Sequence, residues 1–181
     1  MVLWPREDGD LSEFMRWLTV THTQRRHAAD RTAGAGHIYQ GRFKSFPVQR
    51  RRPTAAQRAA GAIETADPLF TVLRYVERNA LRARLVERAE RWRWASLWRR
   101  TSGDAQQRAL LTDPPDGRPP DWLAMVNQPE TEEELAALRR CVNRGRPLGS
   151  EMWVRRIAAT LGLESTLRPR GRPRKTPNKG S

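Results

Sequence analysis

A tyrosine and an asparagine four residues apart form a candidate reactive pair in this sequence. Tyr75 and Asn79 lie in a segment that predicts a helix, so both project from one face, one turn apart. A phenolate favoured by nearby guanidinium groups or a divalent metal can attack a phosphodiester phosphorus. An amide oxygen can bind Mg²⁺ or Mn²⁺. From spacing alone, a structural core tyrosine is the commoner outcome.

Arginine residues surround this pair, and the whole chain is strongly basic. It has 181 residues, with 34 Lys+Arg against 20 Asp+Glu, giving a formal net charge of +14. Such an excess favours a polyanionic partner, nucleic acid before a membrane surface. The arginine bias suits bidentate phosphate contact, although high genomic GC content produces the same bias. Arg74, Arg78 and Arg82, which flank the Tyr75 face, are therefore predicted DNA contacts.

The last segment, 166–181, is predicted to be a disordered basic tail. It holds six basic residues, three prolines and no acid. Its sequence RGRPRK matches the AT-hook pattern, in which arginines beside a Gly-Arg-Pro core enter the minor groove of A/T-rich DNA. Arg170, Arg172, Arg174 and Lys175 are the predicted contacts. The alternative is a plain polybasic tail that binds any polyanion.

Two helices are predicted to position the reactive pair and its surroundings. Apolar residues recur every three or four positions over 12–29, which predicts an amphipathic helix. Asp67 as N-cap, followed by proline at the first helical position, predicts a second helix over 68–79. This second helix carries Tyr75 and Asn79.

Extended structure is predicted before and between these helices. Residues 1–4 form an apolar run that resembles the end of a strand. Residues 37–48 alternate apolar and polar side chains, which predicts a β-hairpin arm or strand pair with Arg42 and Lys44 on one face. The stretch 49–66 is predicted to be an exposed loop or insert.

The C-terminal part is predicted to be a separate helical unit. Residues 101–120 are polar and proline-rich, which indicates a linker. In the unit 121–165, Thr131 and Glu134 form a capping box, and Ser150 can cap a second helix. Such a pair is either part of a helix-turn-helix or a helical hairpin without a DNA role.

Several protein classes are excluded by composition and motifs. Cys141 is the single cysteine, so no internal disulfide forms, which fits a reducing cytoplasm. No window approaches the roughly 18 apolar residues of a membrane span. His22, His27 and His37 lack metal-site spacing. The motifs of nucleotide hydrolases, serine hydrolases and zinc fingers are missing.

Several motifs occur in order along the first hundred residues. They are VLWP at 2–5, FMRWL at 14–18, GHIYQGRFKSF at 36–46, RYVERN at 74–79, LRA at 81–83 and WRWASL at 92–97. Together they resemble the REP-associated tyrosine transposases, bacterial relatives of the single-tyrosine insertion-sequence transposases in the HUH superfamily. A set of ordered motifs is far more specific than any one of them.

The resemblance implies an α+β, ferredoxin-like domain over 1–100, followed by the small helical unit and the basic tail. It implies binding, nicking and rejoining of single-stranded or hairpin DNA through a 5′-phosphotyrosine, with Mg²⁺ or Mn²⁺ held by a His-x-His pair. Tyr75 matches the nucleophile and Asn79 the third metal ligand. Arg42 and Lys44 are expected to contact the DNA backbone.

This sequence also departs from the family pattern. The histidine pair normally ends just before the VLWP strand, so both ligands are absent here and are expected upstream of Met1. The first strand of the domain is missing with them. We therefore expect this form to retain no metal and to be inactive. Either the protein starts upstream or the gene is a decayed copy. The 49–66 stretch is longer than expected, and Ala80 replaces a usual proline.

Two other functions are compatible with the sequence. The first is a non-catalytic DNA-binding regulator that uses the C-terminal helices and the basic tail. The second is an RNA-binding basic protein, because phosphate contacts do not distinguish the sugars. For the DNA-binding functions, a cytoplasmic location associated with the bacterial nucleoid is expected. The target sequence and the oligomeric state are left open.

Overall fold

The structure is a computed structural model that describes residues 1–50, 67–114 and 117–168. Over these ranges the regular elements are helical. The α-helices are α1 (Asp10–Asp30), α2 (Pro68–Glu77), α3 (Asn79–Arg82), α4 (Ser96–Ser102), α5 (Ala105–Ala109), α6 (Trp122–Asn127), α7 (Glu132–Arg144) and α8 (Glu151–Thr160). Short 3-10 helices span Ala89–Arg91 and Glu164–Leu167. None of the helices in the described ranges is long and apolar enough to cross a membrane.

The prediction of an α+β, ferredoxin-like fold is wrong, because the described residues form no β-sheet. Neither 1–4 nor 37–48 is a strand, and the strand pairing in the described ranges is one isolated parallel bridge, Val48 to Leu148. An extended segment needs neighbouring strands to pair its backbone groups. Gly41, at φ 72°, also bends the middle of the predicted hairpin arm.

The helix predicted over 12–29 is confirmed and begins slightly earlier, at Asp10. The Asp10 carboxylate accepts hydrogen bonds from the backbone N–H groups of Arg6 and Glu7, at 2.9 and 3.0 Å. These bonds lower the pKa of Asp10 and close the turn before the helix. None of the side chains of α1 is buried.

The helix predicted over 68–79 is also confirmed, with a break near its end. The Asp67 side chain accepts a hydrogen bond from the Leu69 N–H at 2.8 Å, as expected of an N-cap. The helix ends at Glu77, and Arg78 separates α2 from α3. Asn79 therefore begins a second short helix and does not continue the helix of Tyr75.

A core cluster joins the middle of the chain to α6. Its buried members are Phe70, Ala89, Leu97, Trp122 and Val126. The rings of Phe70 and Trp122 pack at an angle, with centroids 5.8 Å apart. Each large apolar side chain buried in this way contributes about 1.5–3 kcal/mol. This packing holds α2 against α6.

The two predicted C-terminal helices are present as α7 and α8. Thr131 Oγ1 accepts from the Glu134 N–H at 3.2 Å, and Glu134 Oε2 accepts from the Thr131 N–H at 2.9 Å. The predicted capping box is therefore confirmed. Gly145, at φ 67°, ends α7 in the left-handed conformation that favours glycine. Ser150 is the N-cap of α8, but its side chain makes no capping bond.

Candidate nucleic-acid interface around Tyr75

Tyr75 and Asn79 are brought together by a third residue, Arg82. The guanidinium carbon of Arg82 lies 4.0 Å from the centroid of the Tyr75 ring. Arg82 Nη2 donates a hydrogen bond of 2.6 Å to Asn79 Oδ1. A cation stacked on an aromatic face is stabilised by about 0.5–2 kcal/mol, depending on exposure. The structure thus groups the predicted nucleophile, the predicted metal ligand and one predicted DNA contact.

The three arginines predicted to contact DNA around Tyr75 are paired with acids from the junction of α6 and α7. Arg74 Nη2 contacts Glu134 Oε2 at short range. Arg78 Nε lies 3.8 Å from Glu130 Oε2, and Arg82 Nη1 lies 3.6 Å from Glu130 Oε1. The site is therefore a cluster of three positive and two negative side chains beside the tyrosine.

The residues described here do not fit the divalent metal that the resemblance implies. Asn79 Oδ1 already accepts from the Arg82 guanidinium, whose positive charge opposes a cation at the same atom. Over the described ranges, no three His, Cys, Asp or Glu side chains converge as metal ligands. His22 Nδ1 and the Tyr39 hydroxyl are 2.7 Å apart, and His27 Nε2 is 2.9 Å from the Gly36 carbonyl oxygen.

Arg42 and Lys44 lie in the irregular segment that follows α1, and both are exposed. The end of this segment is attached to the turn between α7 and α8. Gln49 N–H donates to the Leu148 carbonyl at 2.8 Å, and the Ser150 N–H donates to Gln49 Oε1 at 2.7 Å. The structure thus connects the segment carrying these two predicted DNA contacts to the C-terminal helices.

The predicted contacts of the tail, Arg170, Arg172, Arg174 and Lys175, lie outside the described residues. So does nearly all of the predicted insert over 49–66. The AT-hook prediction and the insert prediction therefore stay predictions.

Glu77 is an important residue that the sequence reasoning missed. Its side chain is only 1% exposed. Its carboxylate accepts hydrogen bonds from Trp122 Nε1 and Ser96 Oγ, both at 2.8 Å, and pairs with Arg118 Nη2 at 3.2 Å. Glu77 follows Phe70 by seven residues and therefore shares the core face of α2. An acidic residue on the apolar, core-facing side of a predicted helix is the sequence feature that could have indicated a buried ion pair at Glu77.

A cavity of about 910 Å³ lies between the N-terminal segment and α2. Its apolar wall includes Leu3, Leu73 and Trp92, and its polar wall includes Arg100 and Arg118. Burial, reinforced by the neighbouring Arg118 charge, lowers the pKa of Arg100. The cavity is next to α2 on the side that carries Glu77.

Comparisons of the chain with protein-family models, curated proteins and solved structures give no match. The basis for a function is therefore the set of ordered motifs and the contacts around Tyr75.

Proposed function

We propose that this chain is a transposase-like, DNA-binding protein of the single-tyrosine class. It binds single-stranded or hairpin DNA through basic residues around Tyr75, and this form does not cleave it. The observation that carries the proposal is the contact of Arg82 with both Tyr75 and Asn79. The proposed site also includes Arg74 and Arg78, so three guanidinium groups, each paired in this structure with Glu130 or Glu134, are the expected phosphate contacts.

The absence of cleavage follows from the chemistry of the family. Attack by a tyrosine oxygen on a phosphodiester adds negative charge at the phosphate, which the family neutralises with a metal held by a histidine pair. The sequence has no two histidines separated by one residue. Asn79 is hydrogen-bonded to Arg82, so it does not supply a ligand on its own. DNA binding without a covalent product is the expected behaviour.

The test is binding of a fluorescein-labelled DNA hairpin with single-stranded flanks, followed by a denaturing gel after incubation with Mn²⁺. Arg82→Gln should weaken binding, and the matched control Arg91→Gln, at an exposed surface pair, should not. A second variant, with Arg42 and Lys44 both changed to Gln, should weaken binding without affecting the packed helices. No saturable binding would refute the proposal. A covalent adduct lost in Tyr75→Phe would refute the absence of cleavage.

A second candidate, a non-catalytic DNA-binding regulator, is favoured by the presence of both α7 and α8. Arg155 and Arg156 on α8 are exposed, as a duplex-contacting helix requires. A preference for an A/T-rich duplex over the hairpin would support this candidate. Deletion of 168–181 should then weaken duplex binding and reduce the log-log salt slope by about 0.9 for each lost phosphate contact. Equal binding of an RNA hairpin would support the RNA-binding alternative.

A cytoplasmic, nucleoid-associated location is part of the DNA-binding proposal and depends on it. Arg82→Gln tests the location together with the DNA contact, because a chain that loses DNA affinity should also leave the nucleoid.

A further inference from the structure

Glu130 and Glu134 contact the same arginines that the proposed function assigns to DNA phosphates. We propose that Glu130 and Glu134 act as internal substitutes for phosphate and must be displaced before DNA reaches the arginines of α2 and α3. This inference rests on the proposed function and adds a regulatory contact to the same site. The C-terminal helices would then restrain DNA binding by the Tyr75 face.

The arginines are largely covered by these acids. The side chains of Arg74, Arg78 and Arg82 are 14%, 13% and 25% exposed. Arg78 Nε also donates to the Gln128 carbonyl at 2.9 Å, so backbone from the same junction closes over it. A phosphate that takes the guanidinium donors facing this junction must displace its carboxylates and carbonyl.

The two carboxylates do not fully pair the charges of the three arginines. The Glu130 side chain is 1% exposed, yet its distances to Arg78 and Arg82 are 3.8 and 3.6 Å, longer than hydrogen bonds. Within the described ranges, Glu130 Oε1, Arg82 Nη1 and Arg74 Nε are buried without a hydrogen bond. Three guanidinium groups face two carboxylates, so one positive charge is in excess. A buried charge cluster with unsatisfied polar atoms stabilises the fold little, so its carboxylates can be replaced by DNA phosphates at low cost.

Glu130 and Glu134 belong to one short junction between α6 and α7, so a single movement of this junction can separate both from the arginines. Glu130 lies between Asn127, the last residue of α6, and Thr131, the N-cap of α7. Glu134 lies in the first turn of α7. In the proposed exchange, movement of this junction releases all three arginines, while Trp122 and Val126 of α6 keep their places in the core cluster around Phe70. Arg82 contacts both Glu130 and the Tyr75 ring. Replacement of Glu130 by a phosphate would therefore act directly on the Tyr75 site.

The competing explanation is that the ion pairs of Glu130 and Glu134 only stabilise the packing of α7 against α2. In that case, removing a carboxylate charge changes stability but does not selectively improve DNA binding. Glu134→Gln separates the two explanations. Glutamine is also favoured at this position of a capping box, so the variant removes the charge while preserving the start of α7.

The experiment compares the full chain with Glu134→Gln and the matched control Glu133→Gln. Both variants remove one negative charge from the first turn of α7, but Glu133 is exposed. Fluorescence anisotropy with the labelled DNA hairpin measures the affinity. We expect Glu134→Gln to bind at least about fivefold more tightly than Glu133→Gln, the lower range of typical coupling between sites. Glu130→Gln should act in the same direction.

A second measurement uses the reciprocity of the coupling. If DNA displaces the junction, saturating hairpin DNA should speed hydrogen exchange of the backbone amides in the first turn of α7. Slower or unchanged exchange overturns the inference. It is also overturned if Glu134→Gln and Glu133→Gln bind equally, or if Glu134→Gln binds more weakly. If none of the chains binds DNA, the proposed function itself fails, which is a distinguishable result.

Discussion

Replacement of Glu77 by glutamine tests whether this buried carboxylate holds the helical core together. The change keeps the size of the side chain and removes its charge. Glu77 joins α2 to Ser96 at the start of α4 and to Arg118 and Trp122 at the approach to α6. Removing the carboxylate charge therefore weakens contacts among α2, the start of α4 and the approach to α6.

The expected loss in the free energy of unfolding is estimated from the burial of Glu77 and its partner Arg118. The side chains of Glu77 and Arg118 are 1% and 13% exposed. Removing one partner of such a buried ion pair costs about 3–5 kcal/mol, because the other charge stays buried. Asp113, 3.5 Å from Arg118 Nε, offsets part of this cost. We expect a loss of about 3 kcal/mol in the free energy of unfolding, at the lower end of that range.

The assay is urea unfolding followed by tryptophan fluorescence, with Glu87→Gln as the matched control. The Glu87 side chain is 85% exposed and pairs with Arg91 four residues later in the chain. A surface pair of this kind contributes about 0.5 kcal/mol or less. With a slope of about 2 kcal/mol/M, Glu77→Gln should lower the urea midpoint by about 1.5 M. Equal midpoints for the two variants would refute the reasoning.

Two further predictions concern the C-terminal helices. Thr131→Ala should cost about 1 kcal/mol of unfolding free energy, whereas Ser150→Ala should cost much less because its side chain makes no capping bond; equal losses in urea unfolding would contradict this. Burial raises the pKa of the Cys141 thiol above its value in the unfolded chain, so less thiolate is present in the folded chain at mildly alkaline pH. The stability that the protonated thiol contributes is fully present below the unfolded pKa and is lost as pH rises through the folded pKa. A disulfide reagent should therefore label Cys141 slowly in buffer and quickly in denaturing urea, and equal rates would contradict burial of the thiol.

The sequence predicted the four longest helices of the described ranges, α1, α2, α7 and α8, because their signals are local, and it missed the short helices between α2 and α7. An N-cap, a proline at the first helical position and a capping box each involve residues within four positions of one another. This is why Asp67, Thr131 and Glu134 take the positions expected of them. The end of α2 was less predictable, because the break at Arg78 has no proline or glycine to indicate it.

The predicted sheet failed because strand formation depends on distant partners. Alternation over 37–48 and the apolar run over 1–4 describe side-chain patterns, and neither provides a pairing strand. In the described ranges, Val48 pairs with Leu148, a hundred residues away, which no local pattern indicates.

The candidate site was predicted in part. The grouping of Tyr75 and Asn79 was predicted from a single continuous helix, whereas in the structure the helix breaks at Arg78 and Arg82 contacts both residues. The pairing of the flanking arginines with Glu130 and Glu134 could not be predicted, because about fifty to sixty residues separate the partners. Long-range ion pairs leave no periodic pattern in a sequence.

The most direct test of the DNA-binding proposal is the salt dependence of hairpin binding by the full chain. If Arg74, Arg78 and Arg82 each neutralise one phosphate of a single strand, the log of the affinity should fall against the log of the salt concentration. The slope should be about −2 or steeper, at roughly 0.7 for each contact. We expect that slope and no covalent product on a denaturing gel. A slope near zero, or no binding at low salt, would contradict the account.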